Sequence, residues 1–362
     1  MRILFVYNTV SYEEKVRNYT LGECASPVTV GKVYEALIST GCEVVPLNLN
    51  SPLQLEEAVS NQDFDAAFVI AEGFLNEPSS LYDGSGAMRI REILDNAGVP
   101  STHSSSEAMN MCRNKDATYH MLSAFDIPVP LFAVIGPNEV NLEEKLAALE
   151  ANVGYPLFVK PVGGGCSICI DSNSICYSRR ELTERITMVQ AVLENQPVLV
   201  EEYLSGREYT VGVLGNGEKY VLPVIGFAAD SGVRSAADKG IFFSAAAQTQ
   251  VLSEQNPICR HLMSIAEKTF EVLGVRDIVR IDIKENSQGI GHVIDVNGTP
   301  SLAASGSIVT MAAAAGIEHR EVVALVLYAV IARENLPIPS ELEAIVSEPL
   351  RKLRSLKGTL VA

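Results

Sequence analysis

Apolar and polar positions fall into two rhythms over the first hundred residues. "RILFVYN" (2–8) is a short continuous apolar run, which predicts a buried strand. From Val28 to Ser39 the apolar residues Val30, Val33, Leu37 and Ile38 recur near helical spacing. "CEVVPLNLN" predicts a second strand and "DAAFVIAEG" a third, while "GAMRIREILDNAGV" is helical and stops at Asn96-Ala97-Gly98. Strand–helix alternation of this kind predicts a parallel sheet with helices on its faces, so residues 1–102 read as one α/β domain.

The rhythm then changes. "SSSEAMNMCRNKDATYHMLSAFDIPVP" predicts helix up to the Ile127-Pro128 stop. "LFAVI", "PLFVKP" and "SICI" predict strands of a small antiparallel sheet, with the helical "NLEEKLAALEANVG" among them. "QPVLVEEYLSGREYTVGVLGNGEKYVLPVI" is mainly strand, broken at Ser205-Gly206 and at the Gly215-Asn216-Gly217 turn. A helix is expected over Pro257–Leu273, then two strands in "DIVRIDIKENSQGIGHVIDVNGTPSL", then closing helices that are apolar from Val322 to Ile331. No internal repeat interrupts this order.

Composition narrows the class. A chain of 362 residues exceeds one ordinary core and implies two or three domains. Its 47% hydrophobic and 20% charged residues are ordinary for a globular protein, and no apolar run reaches the ~18–20 residues of a membrane span. "MRILFVYN" reads as a first strand rather than a signal peptide. A formal net charge of −16 argues against a nucleic-acid partner. Seven scattered cysteines, with no C-x-x-C pair of a zinc-site or thioredoxin type, fit free thiols in a reducing cytoplasm.

Four places carry candidate chemistry. In "VRIDI" and "VIDVNG", Arg280 with Asp282 and Asp295 with Asn297 are each two apart, so each pair shares a strand face. If the two strands form a hairpin, three oxygen-bearing side chains and a guanidinium meet, which suits Mg²⁺; a solvated polar face is the plain alternative. In "VLVEEYLSGRE", Glu201, Glu202 and Glu208 are either acceptors for a ligand's amine and hydroxyls or a charged hairpin edge. Lys115 in "CRNKDAT" stands near a helix start, where a solvated lysine is the ordinary case. In "PLFVKPVGGGCSICI", Lys160 ends an apolar run and precedes Gly163, Gly164 and Gly165. That segment is either a hairpin turn or a lid whose N–H groups wrap a phosphate; it is not a Walker A spacing.

Taken in order, these features resemble the ATP-grasp superfamily, and within it the D-alanine–D-alanine ligase type. The resemblance spans nearly the whole chain and is strongest in "VKPVGGGCS", "LVEEYLSGREYTVGVLG" and "RIDI…IDVNGTP". It implies an α/β protein, α+β in its ATP-grasp part: a Rossmann-like parallel-sheet domain (1–102), a central lobe with the glycine-rich lid (103–200), and a C-terminal lobe with the metal and substrate site (201–362). It implies that Lys115 and Lys160 hold phosphates under the lid. Glu201, Glu202 and Leu204 would read the adenine, and Glu208 the ribose. Asp282, Asp295 and Asn297 would hold two Mg²⁺ ions, with Mn²⁺ as a substitute, and Arg280 would face the reacting carboxyl group. It further implies small-molecule carboxylate and amine substrates, a cytoplasmic homodimer, and no membrane partner.

The sequence also departs from that pattern. Cys166 stands where the lid's first serine is usual, before Ser167, and Asp295 replaces a glutamate. The expected tyrosine-bearing loop reads "GVRSAADKGIFF", with Arg234, Lys239 and Gly240. "SLAASGS" leaves Ser305 or Ser307 for carboxylate recognition. Glu23 is the candidate for the first substrate's amino group, with Glu13 and Glu14 competing. The leading expectation is therefore an ATP-dependent carboxylate–amine ligase forming an amide through an acyl phosphate, on amino acids other than two D-alanines. A divergent D-alanine–D-alanine ligase and a catalytically inactive nucleotide-binding regulator are the alternatives.

Overall fold

The computed structural model describes residues 1–194, 196–227, 249–253 and 256–361. The first unit is a parallel sheet in the order β2-β1-β3, formed by β1 (Arg2–Tyr7), β2 (Glu43–Asn48) and β3 (Ala66–Val69). The apolar run of β1 is buried on both faces, as expected of a strand covered by helices. Helix Pro27–Ile38 turns Val33, Ala36 and Leu37 toward it; its start is capped by Ser26, whose hydroxyl accepts from the Thr29 N–H. Helix Ser85–Asn96 covers the other face through Ile90 and Leu94.

A second sheet, antiparallel, runs β4-β7-β5-β6: β4 (Phe132–Ile135), β5 (Leu157–Pro161), β6 (Ile175–Cys176) and β7 (Val198–Glu202). Helices Leu142–Val153 and Arg179–Val192 bury Leu146, Leu182, Ile186 and Val189 against it. The third sheet contains β8 (Glu208–Gly215), β9 (Lys219–Val221), β10 (Ile225–Phe227), β11 (Thr249–Val251), β12 (Ile278–Glu285) and β13 (Gly291–Asn297). Helix Pro257–Val272 backs it with Leu262, Ile265, Ala266 and Phe270. Helix His319–Arg333 is apolar nearly all round because it lies between this sheet and the first: one core joins Ile3, Phe5 and Phe68 to Leu222, Ile225 and Val323.

Two sequence expectations need correction. "SICI" is not a strand. Cys166, Ser167 and Cys169 have φ of 50°, 56° and 53°, and turn hydrogen bonds run from Ile168 N to the Gly165 carbonyl and from Ile170 N to the Ser167 carbonyl. Arg185 takes the Cys169 carbonyl at 2.7 Å, so the segment curls back, and Ile175–Cys176 pairs with β5 in its place. The helix expected to continue to Ile127 is two helices, Ser106–Arg113 and Lys115–Ala124, broken at the extended Asn114. The break lets the Lys115 N–H reach the Val162 carbonyl, 3.1 Å away beside the lid.

Candidate active site

Between the second and third sheets lies a cleft open to solvent. Its lining brings together Lys115, Lys160, Gly163, Gly164, Gly165, Cys166, Ser167, Glu201, Glu202, Leu204, Glu208, Asp282 and Asp295, which the sequence scatters over 181 positions. Phe158, Ile168, Ile170, Tyr203 and Ile294 supply an apolar wall, and the Phe158 and Tyr203 rings stack at 6.5 Å.

The floor is built by strand periodicity. β12 and β13 are the antiparallel hairpin expected from the sequence, with Asp282 opposite Asp295 and Arg280 opposite Asn297. On its other side β12 pairs with β8, placing Thr210 opposite Asp282 and Glu208 opposite Lys284. Arg280 forks onto Asp282 at 3.0 and 2.8 Å, and the Thr210 hydroxyl donates to the same carboxylate at 2.6 Å. Burial pushes the Arg280 guanidinium down, but the charge and hydrogen bonds of Asp282, together with Asp295 and Cys166, outweigh it and the net direction is up. The Asn297 side-chain oxygen accepts from the Thr299 N–H at 3.0 Å.

The register slips by one residue beyond Asp282, a bulge that leaves Ile294 unopposed. Its carbonyl is then free to accept from Lys160 at 3.1 Å and to meet the Tyr119 hydroxyl at 3.0 Å. Lys160 also pairs with Glu201 at 2.8 Å and donates to Tyr119 at 2.9 Å. Burial raises Glu201 above the usual carboxylate range, with Lys160 opposing it. Burial lowers Lys115, with Asp295, 3.5 Å away, opposing that shift. A cation held among acids in a dry cleft is ready to exchange them for phosphate oxygens.

The glycine-rich segment 163–167 is fastened at several points. Lys115 Nζ donates to the Gly164 carbonyl at 2.8 Å. Cys166 Sγ donates to the Glu23 carboxylate at 3.1 Å and meets the Gly22 carbonyl at 3.4 Å. Glu23 therefore meets the glycine-rich segment, whereas Glu14 caps the exposed helix Tyr12–Arg17 and Glu13 is exposed on it. Ser305 is exposed in a turn and Ser307 begins helix Ser307–Ala314; neither lines the cleft. Arg234, Lys239 and Gly240 lie outside the described residues.

Several side chains in this network were not singled out from the sequence. Tyr119 follows Lys115 by one helical turn, and Lys284 continues the two-residue spacing of Arg280 and Asp282, so each had a local signal. Thr210, Glu72 and Arg113 had none. Arg113 Nη2 donates to Glu23 at 3.1 Å, and its Nη1 lies 3.6 Å from Glu72.

Comparison with known proteins agrees with this geometry. The family model described as "D-ala D-ala ligase C-terminus" matches residues 121–328, more than half of the 362-residue chain, and the chain belongs to that family. It is an ATP-grasp, ADP-forming ligase that joins a carboxylate to an amine. A D-alanine–D-alanine ligase of Desulforamulus reducens is 29% identical over 296 residues, covering 80% of this chain and 88% of that protein. One from Carboxydothermus hydrogenoformans is 27% identical over 308 residues, covering 82% and 90%. Among solved structures, the Bacillus anthracis D-alanine–D-alanine ligase complexed with ATP superposes with a TM-score of 0.70 at 23% identity, covering 92% of this chain and 99% of that one. The VanG D-Ala:D-Ser ligase of Enterococcus faecalis gives a TM-score of 0.67 at 19% identity, covering 91% and 99%. At these identities the two structures show the shared fold: a parallel N-terminal sheet followed by two antiparallel lobes.

Proposed function

We propose that this ligase joins two small amino acids of the D-alanine class. The observation that carries the reading is Glu23: a buried carboxylate from the N-terminal unit, set against the lid at Cys166 beside the cleft. A carboxylate there suits the ammonium of a first amino acid. The relatives' names favour D-alanine over the bulkier substrate expected from "GVRSAADKGIFF", whose residues lie outside the described ones.

In this reading ATP lies in the cleft with its phosphates on Lys115 and Lys160. Its adenine sits against the Glu201–Leu204 segment, and its ribose against Glu208. The first substrate's carboxylate attacks the γ-phosphorus and ADP leaves. The amine of the second substrate then attacks the acyl carbon of the acyl phosphate, loses a proton and expels inorganic phosphate. Arg280 faces the charge that develops on the acyl oxygen. The lid, with Cys166 and Ser167, keeps water from the acyl phosphate. Ser305 and Ser307 are the candidates for the second substrate's carboxylate.

The donor set fits a hard divalent cation. Asp282 and Asp295 face each other across the hairpin with Asn297 one pair away, all oxygen donors. Among the described residues no group of three or more His, Cys, Asp and Glu forms a cage, as befits Mg²⁺, which keeps waters and phosphate oxygens in its shell. Two such ions, or Mn²⁺ in their place, would neutralise phosphate charge when bound with ATP. We also infer the three-unit division at 102 and 200, a homodimer and a cytoplasmic setting; among the described residues no helix is long and apolar enough to cross a membrane.

The test is phosphate release from ATP over pairs of D-amino, L-amino and other carboxylic acids, with mass detection of the product. D-alanine alone is expected to give the highest kcat/KM and D-alanyl-D-alanine as product. Another acid exceeding D-alanine by ~tenfold, about 1.4 kcal/mol in transition-state binding, would transfer the assignment to that substrate.

A further inference from the structure

The lid comes to rest on the N-terminal unit, and its glycines make room for that contact. A Cβ on Gly163 would lie 2.7 Å from the Asp83 carbonyl oxygen, one on Gly164 2.6 Å from that of Tyr82, and one on Gly165 2.2 Å from Glu23 Oε1. The lid therefore has two supports, the Tyr82–Asp83 backbone and the Glu23 carboxylate.

One side chain ties these supports together. Arg113 is the last residue of helix Ser106–Arg113. Its Nη2 donates to Glu23 Oε1 and to the Leu81 carbonyl, each at 3.1 Å. Its Nη1 faces Glu72 Oε2 at 3.6 Å. The side chains of Arg113, Glu23 and Glu72 are 4%, 7% and 5% exposed. Groups this deeply buried are tolerated because opposite charges stand together: Arg113 lies between the two carboxylates, and the buried Arg91 also acts on Glu72. The planar fork reaches a carboxylate and a carbonyl at once, which the point charge of a lysine does less well. Glu23 offers one oxygen to Arg113 and the other to the Cys166 thiol, so the position of Arg113 is passed to the lid.

We propose that Arg113 is a positioning residue for the ligation: it holds Glu23 and the Leu81–Asp83 segment as one landing surface and so sets how the lid closes over the reacting acyl phosphate. The proposal rests on the lid reading of residues 163–167 given above. A lid that lands out of place admits water. Water then takes the place of the amine at the acyl phosphate and returns the free carboxylic acid and inorganic phosphate, so ATP is consumed without amide formation.

Cys166 is itself the reporter. Iodoacetamide labelling, with the modified cysteine identified by mass, is followed in wild type, Arg113→Lys and Arg113→Met, with and without ADP and Mg²⁺, alongside the ratio of phosphate released to amide formed. In wild type, ADP with Mg²⁺ slows Cys166 labelling and the ratio stays near one. In Arg113→Met the nucleotide-bound enzyme labels ~tenfold faster, equivalent to about 1.4 kcal/mol in lid opening. Its phosphate-to-amide ratio rises at least ~threefold by the same opening, and Arg113→Lys falls between the two. A folded Arg113→Met that matches wild type in both readouts overturns the proposal. If Arg113→Met does not fold, the Lys variant decides: a shift in both readouts supports the proposal, and wild-type behaviour overturns it. Wild-type labelling that ignores ADP and Mg²⁺ sinks the lid reading, and the proposal with it.

Discussion

The cleft floor and the surface on which the glycine-rich segment 163–167 rests, the landing surface of the proposed lid, are built in opposite ways. On the floor, Thr210, Arg280, Asp282, Asp295 and Asn297 project from three hydrogen-bonded strands, and Thr210 and Arg280 both reach Asp282 because the pleat places alternate residues on one face. At the landing surface, Glu23 comes from a 3₁₀ turn, Tyr82 from a four-residue helix, Arg113 from a helix end and Cys166 from a left-handed turn. Regular strands hold charges by backbone pairing, so one side chain can change without moving the rest. The landing surface is held by the side chains themselves, through an ion pair and close backbone approaches, so changes there should propagate.

The largest effect is expected on the floor. Asp295→Asn removes a half-buried charge that faces the phosphate region, and it should lower kcat by ~10³ or more, as expected for the loss of two or three charge-assisted contacts of ~1.5–3 kcal/mol. Its circular dichroism and melting should stay near wild type; near-normal turnover at ordinary Mg²⁺ would move the metal site elsewhere. Lys160→Ala comes next. Losing one charge-assisted contact of ~1.5–3 kcal/mol should weaken ATP roughly 10–150-fold by calorimetry, and unchanged affinity would remove Lys160 from the phosphate site.

At the lid, Gly165→Ala tests whether glycine serves close approach rather than flexibility alone. Its Cβ would lie 2.2 Å from Glu23 Oε1, so Glu23 must shift, and kcat should fall ~tenfold, ~1.4 kcal/mol in lid closure. Gly31→Ala, inside helix Pro27–Ile38, where a Cβ meets nothing within 4 Å and φ is not positive, is the control for a glycine substituted elsewhere. Full activity in Gly165→Ala would make the two regions alike. The smallest effect belongs to Cys166→Ser, a better donor of similar size toward Glu23. It should change kcat by no more than ~threefold, within the ~0.5–1.5 kcal/mol of a single hydrogen bond. Loss of activity together with a trappable acyl group on the native thiol would make Cys166 a nucleophile and displace the acyl-phosphate route.

What could be read along the chain follows this same division. Two-residue spacing placed Arg280 with Asp282 and Asp295 with Asn297, and the short connection at 286–290 lets the two strands pair, because strand geometry is local and periodic. The alternation of strands and helices in residues 1–102 announced the parallel sheet for the same reason. The order of Lys115, Lys160, the glycines and the acidic pairs carried the family, since each motif is short and contiguous in the chain.

Tertiary structure alone decided the rest. Nothing local distinguishes Glu23 from Glu13 and Glu14; only the folded chain sets Glu23, and not the other two, against Cys166. "SICI" has the apolar content of a strand, yet Arg185, fifteen to eighteen positions further on, draws it into a turn. The bulge that frees the Ile294 carbonyl for Lys160 has no mark in the sequence, because register is set jointly by two strands. Arg113 reads as an ordinary helix-end arginine, and only the folded chain encloses it with Glu23 and Glu72, 90 and 41 positions away. Backbone periodicity repeats within a few residues and is visible in one dimension, whereas the pairing of buried charges depends on which distant segments share a space from which water is excluded.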